Sequence, residues 1–575
     1  MSKKTKIISI VVLGLIIPFG VGADYQGQKV NFFIDPDYDF LGRNQVFATL
    51  IYITPKIYFY LEDNWFNSLD QIQKQEILFS LNALSQEFEN NIYPTLTSTF
   101  GSEWKPGIDA DLHITVLFHQ MKKEAGGYFN SGDEYFRLQN PKSNEREMVY
   151  LNTENIKDSR LRIFLAHEFQ HLITFNHKEK LFNVPDEIWL NEARSEYAST
   201  LLNYDSVYEG SNLQNRVQKF LEKPSDSLTE WQGKSSDYGV LNLFTQYLVD
   251  HYQVQILVDS LKMRKTGIES LNEALFQRGL QEDFSQVFTN WLIAVLVNNC
   301  SLSEKYCYKN ENLKKFQIIP STNFLPLLGK SSLQVSKSTK NWAGNWEKIV
   351  GGKGNLKLEF EGQRGVNFKV PYIIEDSAGA LSVNFLKLDT FQKGTIYVPD
   401  FGSQNVSLTI IPSIQTKISD FSENEPSYLY SFRASIIEVE EIPSIEEQKI
   451  IKELLVQIEF LKKEIARLQA QINTILARKI GTRPISCQRF ENNLYYGMRN
   501  NSEVRCLQEF LKNQGSEIYP EGLVTGNFLS LTKSAVIRFQ EKYASEILRP
   551  FGLKKGTGFV NLMTRAKINE MINYK

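Results

Sequence analysis

The chain has 575 residues, of which 42% are hydrophobic and 12% aromatic, so it can form several domains with sizeable cores. This composition excludes long disordered stretches. The net charge of −2 provides no strong field that would favour nucleic acid as a partner.

The first 23 residues have the pattern of a secretory signal peptide. A basic segment precedes an apolar run over residues 7–21, and cleavage is expected after Ala23. A retained membrane anchor is the alternative, because the run approaches the length of a membrane span. Pro18 and Gly20 interrupt the run and favour cleavage. Since no other segment is long and apolar enough to cross a bilayer, we expect a secreted protein.

Two segments that contain β-branched residues, 110–120 and 148–151, predict strands ahead of the central motif. Gly126 and Gly127 lie between them, where their backbone could run along the edge of a cleft. An extended substrate could pair with such an edge by strand addition. A plain hairpin with glycine in its turn is an equally good interpretation.

Residues 167–171 (HEFQH) form an H-E-x-x-H motif within an apolar helical run. Four residues are just over one helical turn, so His167 and His171 project from one face and can bind one metal ion. Glu168 is displaced by about 100° and can act as a general base instead. The chain contains only six His, which favours a catalytic zinc site over histidines that merely satisfy local hydrogen bonds.

A catalytic zinc needs a third protein ligand, and two residues could supply it. His177 would complete a spacing that resembles the metzincin motif, although Thr174 stands where that family has Gly. Glu192 lies in a second predicted helix, residues 188–198, with Glu196 on the same face. Glu192 could bind the ion while Glu196 accepts a hydrogen bond from a ligand His. The alternative interpretation is that Glu192 and Glu196 simply form an exposed acidic face on an ordinary helix.

The motif followed by residues 189–193 (WLNEA) resembles the gluzincins, zinc metallopeptidases with two His and one Glu on the metal. It is most similar to the hyicolysin-type secreted metallopeptidases, with Ala193 where Gly is commoner, and the likeness spans roughly residues 30–300. The resemblance implies an α+β zincin-like catalytic domain over residues 24–310. It also implies that the zinc ligands are His167, His171 and Glu192, that the base is Glu168, and that Glu196 orients a ligand.

A further candidate comes from residues 236–239, which open a helical run over 240–252. Gluzincins often contribute a Tyr or His from this region, where a hydrogen-bond donor stabilises the oxyanion. Tyr238 is our candidate for this role. The chain has 26 Tyr, however, and a Tyr at the start of a helix often serves only in packing.

The four cysteines indicate disulfides rather than a reactive thiol, because the chain is predicted to be secreted. Cys300 and Cys307 would close a small loop, and Cys487 and Cys506 lie in the last module, but spacing alone leaves the pairing open.

Amphipathic segments over residues 213–299 predict the lower lobe of the catalytic domain.

Residues 325–441 contain short alternating segments separated by glycine-containing turns, which predict a β-sandwich domain. We find no catalytic constellation in it and expect a spacer or substrate-positioning role. A fragment ending near residue 299 is therefore expected to remain active.

A helix over residues 444–480 follows the predicted β-sandwich domain. Its Ile and Leu repeat over 451–475 predicts a parallel two-stranded coiled coil, and thus a homodimer, or a single spacer helix.

Residues 485–575 contain helices with Leu-Gln and Phe-Gln pairs on either side of a glycine-containing turn, and a third helix follows. This pattern resembles the small three-helix peptidoglycan-binding domain, although Leu529 and Asn561 replace two of its usual glycines. The resemblance implies that the module binds peptidoglycan. A helical bundle that contacts proteins is the alternative.

These features predict a multidomain, secreted zinc endopeptidase that cleaves a protein or peptide substrate and is associated with the cell wall. The sequence lacks the G-x-M-E-N motif of gluzincin aminopeptidases, which favours internal cleavage. The alternative is a non-catalytic wall-binding or adhesion protein with a structural metal site. The intact Glu168 argues against that alternative.

Overall fold

The computed structural model describes residues 23–327, 331–437, 487 and 489–573, with isolated positions between 457 and 468. The chain is a multidomain α and β protein that divides into two compact units, Met1–Glu440 and Glu441–Lys575. The predicted signal peptide and almost all of the predicted coiled coil lie outside the described residues. Among the helices that are described, none has the length and apolar character needed to span a membrane.

The first unit begins with a six-stranded mixed sheet in the order β1-β2-β3-β4-β6-β5. The pairs β3–β4 and β4–β6 are parallel, and the remaining pairs are antiparallel. The strands are β1 (Lys29–Phe33), β2 (Gln45–Ile53), β3 (Ile57–Glu62), β4 (Ile114–His119), β5 (Gly127–Phe129) and β6 (Met148–Asn152).

Both faces of this sheet are covered, so its central strands are buried along their whole length. In β3, Phe59 and Leu61 enter the main core with the helices, whereas Tyr58 and Tyr60 enter a smaller core on the opposite face. This alternation follows from the two-residue period of a strand. The predicted strand over 110–120 is therefore present, and it is shorter than predicted.

In the described part of the first unit, ten α-helices are present, and most of them contribute buried residues to the main core on one face of the sheet. Two of them, α4 and α5, pack against each other, and α5 also packs against α7. The helices are α1 (Asp63–Ser68), α2 (Gln71–Glu87), α3 (Tyr93–Phe100), α4 (Leu161–Phe175), α5 (Ile188–Leu201), α6 (Asn212–Glu222), α7 (Ser235–Tyr252), α8 (Gln255–Leu261), α9 (Gly267–Gln277) and α10 (Phe284–Val297).

The strands after α10 form a nearly closed nine-stranded sheet and a small two-stranded one. In β10, Leu356, Leu358 and Phe360 face an inner core while Glu359 and Glu361 face solvent. A β-rich region is therefore present where one was predicted, and its classification as a sandwich stays a prediction. The strands are β7 (Ser321–Leu325), β8 (Ser332–Thr339), β9 (Glu347–Gly351), β10 (Gly354–Gly362), β11 (Phe368–Lys369), β12 (Pro371–Asp376), β13 (Leu381–Phe385), β14 (Lys393–Phe401), β15 (Asn405–Ile410), β16 (Ser413–Ile414) and β17 (Tyr428–Ile437).

This β-rich region shares the main core with α10, which the sequence did not predict. The Trp342 ring lies 4.9 Å from the Phe284 ring and 5.3 Å from the Phe288 ring. The Trp346 indole donates a hydrogen bond to the Leu292 carbonyl at 2.9 Å. A fragment that ends near residue 299 would therefore expose apolar surface of α10, and we no longer expect it to fold and remain active.

We predict that Trp342→Ala lowers the free energy of unfolding of the full chain by about 3–5 kcal/mol, the usual cost of truncating a large buried aromatic residue. The measurement is urea-induced unfolding followed by far-UV circular dichroism. Tyr397→Ala is the matched control, because Tyr397 lies in the same β-rich region and is 62% exposed. Equal, small effects of both substitutions would contradict a shared core.

The second unit contains the helices Ser502–Asn513, Ser530–Lys542, Ala544–Ile547 and Leu562–Asn573 around its own core. The Gln508 amide accepts hydrogen bonds from the Thr525 and Gly526 amides at 2.7 and 2.8 Å and donates to Thr532. Gln540 makes the corresponding bonds 32 residues later, with the Gly558 amide and Thr564. The glutamines of the Leu-Gln and Phe-Gln pairs thus stabilise two similar turns through side-chain hydrogen bonds.

The prediction that the cysteines form disulfides is confirmed, and the structure shows the pairing that the sequence left open. Cys300 is bonded to Cys307 directly after α10, and Cys487 is bonded to Cys506 in the second unit. No cysteine is free in the described part of the chain.

Candidate metal centre

The H-E-x-x-H segment lies in the middle of α4, and its two imidazoles face one carboxylate from α5. His167 Nε2 lies 3.2 Å from Glu192 Oε2, and His171 Nε2 lies 3.7 Å from Glu192 Oε1. One potential ligand atom from each residue falls within 4.8 Å of the others. The structure thus brings together the three residues that the gluzincin resemblance implies as ligands.

The other nitrogen of each imidazole has its own partner on α5. His167 Nδ1 lies 3.4 Å from Glu196 Oε1, while His171 Nδ1 lies 3.0 Å from Asn191 Oδ1 and 3.2 Å from Ser195 Oγ. Residues 191 and 195, like residues 192 and 196, are four apart and so share a helical face. Each ring is therefore oriented with its Nε2 lone pair toward Glu192, which is the arrangement that metal-binding histidines require.

Arg216 on α6 is a member of the site that sequence reasoning missed. Its guanidinium donates two hydrogen bonds to Glu196, from Nε to Oε2 and from an Nη to Oε1, both at 2.7 Å. Such a bidentate pair fixes the carboxylate geometrically as well as electrostatically. Arg216 lies in a different helix from its partner, so no local pattern in the sequence indicates the pairing.

Tyr238 lies at the start of α7, at the edge of the same group. Its ring centroid is 6.4 Å from that of His167 and 4.6 Å from the Arg216 guanidinium carbon. The ring also packs edge-on against Trp231. The structure therefore places Tyr238 beside the candidate site, and its ring contacts fit a packing role as well as a catalytic one.

His177 does not join the other histidines. It lies in the π-helical turn Asn176–Lys180 after α4, and its ring lies against Gly101. A Cβ atom at Gly101 would be only 2.2 Å from His177 Nε2. The spacing that resembles a metzincin motif therefore brings His177 to a different neighbour.

Glu168 is buried, and among the described residues it forms no ion pair. Removal from water raises the pKa of this carboxyl to about 8, although nearby His167 opposes the rise. Burial also raises the pKa of Glu196, but Arg216 and His167 outweigh that effect and leave the pKa well below its usual range. For Glu192, His171 and His167 likewise outweigh burial and lower the pKa. Three carboxyls on neighbouring helices, those of Glu168 and Glu196 buried and that of Glu192 partly buried, therefore have different proton affinities.

The site opens into a cleft of about 780 Å³ whose lining includes His167, Glu168 and Tyr238. Strand β5 packs against α4 at this cleft. At Gly126 and Gly127 the neighbouring atoms leave no space for a side chain. A Cβ atom at Gly126 would lie 2.7 Å from the Phe164 ring, and one at Gly127 would lie 3.2 Å from Glu168 Cγ. The two glycines thus allow the edge of the sheet to reach the H-E-x-x-H helix.

The residues present fit a zinc ion. Two imidazoles and one carboxylate form the ligand set of many catalytic zinc sites. Ligand atoms at the corners of a tetrahedron with bonds of about 2.1 Å lie about 3.4 Å apart. The separations of 3.2 Å from His167 Nε2 to Glu192 Oε2 and 3.7 Å from His171 Nε2 to Glu192 Oε1 bracket this value. Glu192 Oε2 is buried, and apart from the nearby His167 Nε2 it has no hydrogen-bond partner among the described residues. That oxygen is available to a cation.

Comparison with known proteins reveals one distant similarity to a peptidase. No protein-family model matches the chain. Its sequence is 27% identical over 189 residues to the neutral metalloprotease ShpI of Staphylococcus hyicus. The match covers 29% of this chain and 41% of that protein, so the chain spans less than half of the curated relative.

Two weak similarities to solved structures concern about a fifth of the chain each. The pre-peptidase C-terminal domain of a Bacillus anthracis collagenase is 7% identical, with a TM-score of 0.15 over 20% of this chain and 94% of that one. PliG, a lysozyme inhibitor of Aeromonas hydrophila, is 12% identical, with a TM-score of 0.15 over 21% and 100%. These scores are too low to support a conclusion about the site.

We predict that Glu192→Ala removes most of the bound zinc, because only two ligands remain, whereas His177→Ala keeps one zinc per chain. Zinc is measured on the purified variants by atomic absorption after dialysis against a weak chelator. Glu196→Ala should be milder, with a 10–100-fold loss of affinity, because it alters only the orientation of His167. Zinc loss in His177→Ala but not in Glu192→Ala would contradict this assignment.

Proposed function

We propose that this chain is a secreted zinc endopeptidase with a zincin-like catalytic domain of the gluzincin type. The observation that carries the proposal is the approach of ligand atoms from His167, His171 and Glu192 to within 4.8 Å of one another. His167 and Glu168 also line one cleft. The similarity to a neutral metalloprotease supports the same reaction class. His167, His171 and Glu192 would hold Zn²⁺. When bound, the ion would polarise the scissile carbonyl and lower the pKa of a water molecule.

Glu168 would move protons during hydrolysis. It directly follows the first ligand in α4 and lines the cleft beside it. Glu168 would accept a proton from the attacking water and deliver it to the leaving amine. Tyr238 would donate a hydrogen bond to the oxyanion that develops on the carbonyl.

The edge of the sheet offers a place for an extended peptide. Within the described residues β5 pairs only with β6, so the other edge of β5 has free backbone groups. This edge lies over Glu168 because Gly127 approaches its Cγ. A substrate strand could pair with β5 and present an internal peptide bond to the catalytic residues.

We predict that Glu168→Gln lowers kcat for cleavage of casein by at least about 100-fold, because it removes the general base. The variant should still bind one zinc per chain, since Glu168 is not a ligand. Glu154→Gln, which changes an exposed glutamate, is the matched control and should retain full activity. A wild-type protein that binds zinc but cleaves no peptide would instead favour the non-catalytic alternative with a structural metal site.

We also propose that the second unit binds peptidoglycan and so holds the enzyme at the cell wall. Support comes from its compact core and from the paired turns fastened by Gln508 and Gln540. The side chains of Tyr495 and Tyr496 are 52% and 58% exposed, and Tyr495 stacks on Phe559 with 6.2 Å between ring centroids. Exposed aromatic rings offer flat apolar faces to a glycopeptide.

We predict that a fragment of residues 485–575 sediments with insoluble peptidoglycan, and that the double substitution Tyr495→Ala and Tyr496→Ala releases it into the supernatant. The loss follows if the aromatic rings contact the wall polymer. Phe551→Ala is the matched control, because Phe551 is an aromatic residue of the same unit with 56% exposure. If the unaltered fragment stays in the supernatant, the unit is a protein-interaction module instead.

A further inference from the structure

Two other glutamates of the first unit, Glu134 and Glu147, are buried together and have no assigned role. Glu134 ends the short 3-10 helix Ser131–Glu134 that follows β5, and Glu147 directly precedes β6. Each residue is only 3% exposed. Neither belongs to the lining of the cleft that contains the H-E-x-x-H motif.

These carboxylates have few hydrogen-bond donors. Glu147 Oε1 accepts a hydrogen bond from the Ile108 amide at 2.7 Å. In the part of the chain that the structure describes, no donor reaches Glu147 Oε2 or either oxygen of Glu134. Burial and the nearby Glu147 carboxylate both raise the pKa of Glu134. Three buried carboxylate oxygens of these two residues are therefore without a donor among the described residues.

The loop opposite Glu147 is shaped around its carboxylate. Gly107 has a φ angle of +94°, and a Cβ atom there would lie 1.7 Å from Glu147 Oε2. A side chain at this position would be strained by the positive φ angle and would require the Glu147 carboxylate to move.

The charged groups around the pair do not neutralise it. Asp109 and Asp133 add negative charge near Glu134. The closest cations have other partners: Lys180 lies over the Trp104 ring, and Arg146 is paired with Asp24 at 2.5 Å. Neither forms an ion pair with Glu134 or Glu147. Burial of unpaired charge is costly, so buried acids normally take up a proton or bind a metal ion.

We propose that Glu134 and Glu147 bind a Ca²⁺ ion. A single shared proton would leave one negative charge buried, whereas a divalent cation compensates both carboxylates. All free donor atoms are oxygens, which favours a hard cation over zinc. Calcium accepts carboxylates in one- or two-oxygen modes and tolerates irregular geometry, whereas magnesium requires a near-ideal octahedron.

A calcium ion here would join two segments of the first unit, because Glu134 follows β5 and Glu147 precedes β6. The ion would therefore hold β5 close to its neighbours and stabilise the strand that lies over Glu168. This inference does not depend on peptidase activity, since it concerns stability and ion binding alone.

The test uses the full chain with Glu168→Gln, loaded with zinc, so that self-cleavage and calcium entry into the zinc site do not interfere. Isothermal titration with CaCl₂ should show one additional site per chain. At a calcium concentration about 100 times Kd, the Tm should rise by roughly 5–10 °C. Adding Glu134→Gln or Glu147→Gln should weaken binding by at least 100-fold and remove the rise in Tm. The exposed control Glu154→Gln should change neither result.

Two outcomes would overturn the proposal. Calcium binding that persists in both glutamine variants would place the ion elsewhere. No calcium binding, with a Tm that rises as the pH is lowered from 8 to 6, would mean that the carboxyls share a proton. That pH dependence follows because burial raises the pKa of Glu147 to about 7 in the folded chain, so proton-linked stability is lost as pH rises through that value. Circular dichroism verifies that each variant is folded.

Discussion

The orientation of two imidazole rings is the constraint on which the candidate site depends. A histidine ring can rotate about its side-chain bonds. The Nε2 atoms of His167 and His171 therefore face Glu192 only if a polar partner fixes each Nδ1. Helix α5 provides both the facing carboxylate and the holding groups. Arg216 from α6 then fixes Glu196. Three helices are therefore needed to orient one set of ligand atoms, and the packing of those helices is part of the chemistry.

Surroundings rather than residue type distinguish the buried carboxyls of this protein. Glu168 and Glu196 are both removed from water, which raises the pKa of a carboxyl. Glu196 has a bidentate guanidinium partner that reverses the effect, whereas Glu168 has no ion-pair partner within the described residues and has a pKa of about 8. Glu134 and Glu147 are both buried, and burial together with repulsion from Glu147 raises the pKa of Glu134. A glutamate side chain can thus orient a histidine, transfer a proton or bind a cation, depending on its surroundings.

The core of the first unit explains why the regions on either side of residue 310 belong together. Trp342 and Trp346 fill space beside α10, and α10 packs against α7, which carries Tyr238 at its start. Removal of the β-rich region would therefore leave apolar side chains of the helical region in water. The β-rich region is part of the structure that supports the site, in addition to any role in spacing.

The sequence by itself determined the features that depend on local periodicity. Helical spacing placed His167 and His171 on one face with Glu168 beside them, and Glu192 and Glu196 on one face of the next helix. It could not decide between Glu192 and His177 from spacing, because that choice depends on how α4 packs on α5 and on the turn that directs His177 toward Gly101. Tertiary structure alone also revealed Arg216, the separate partners of each Nδ1, and the core shared with Trp342. These contacts join residues far apart in the chain, and no local pattern encodes them.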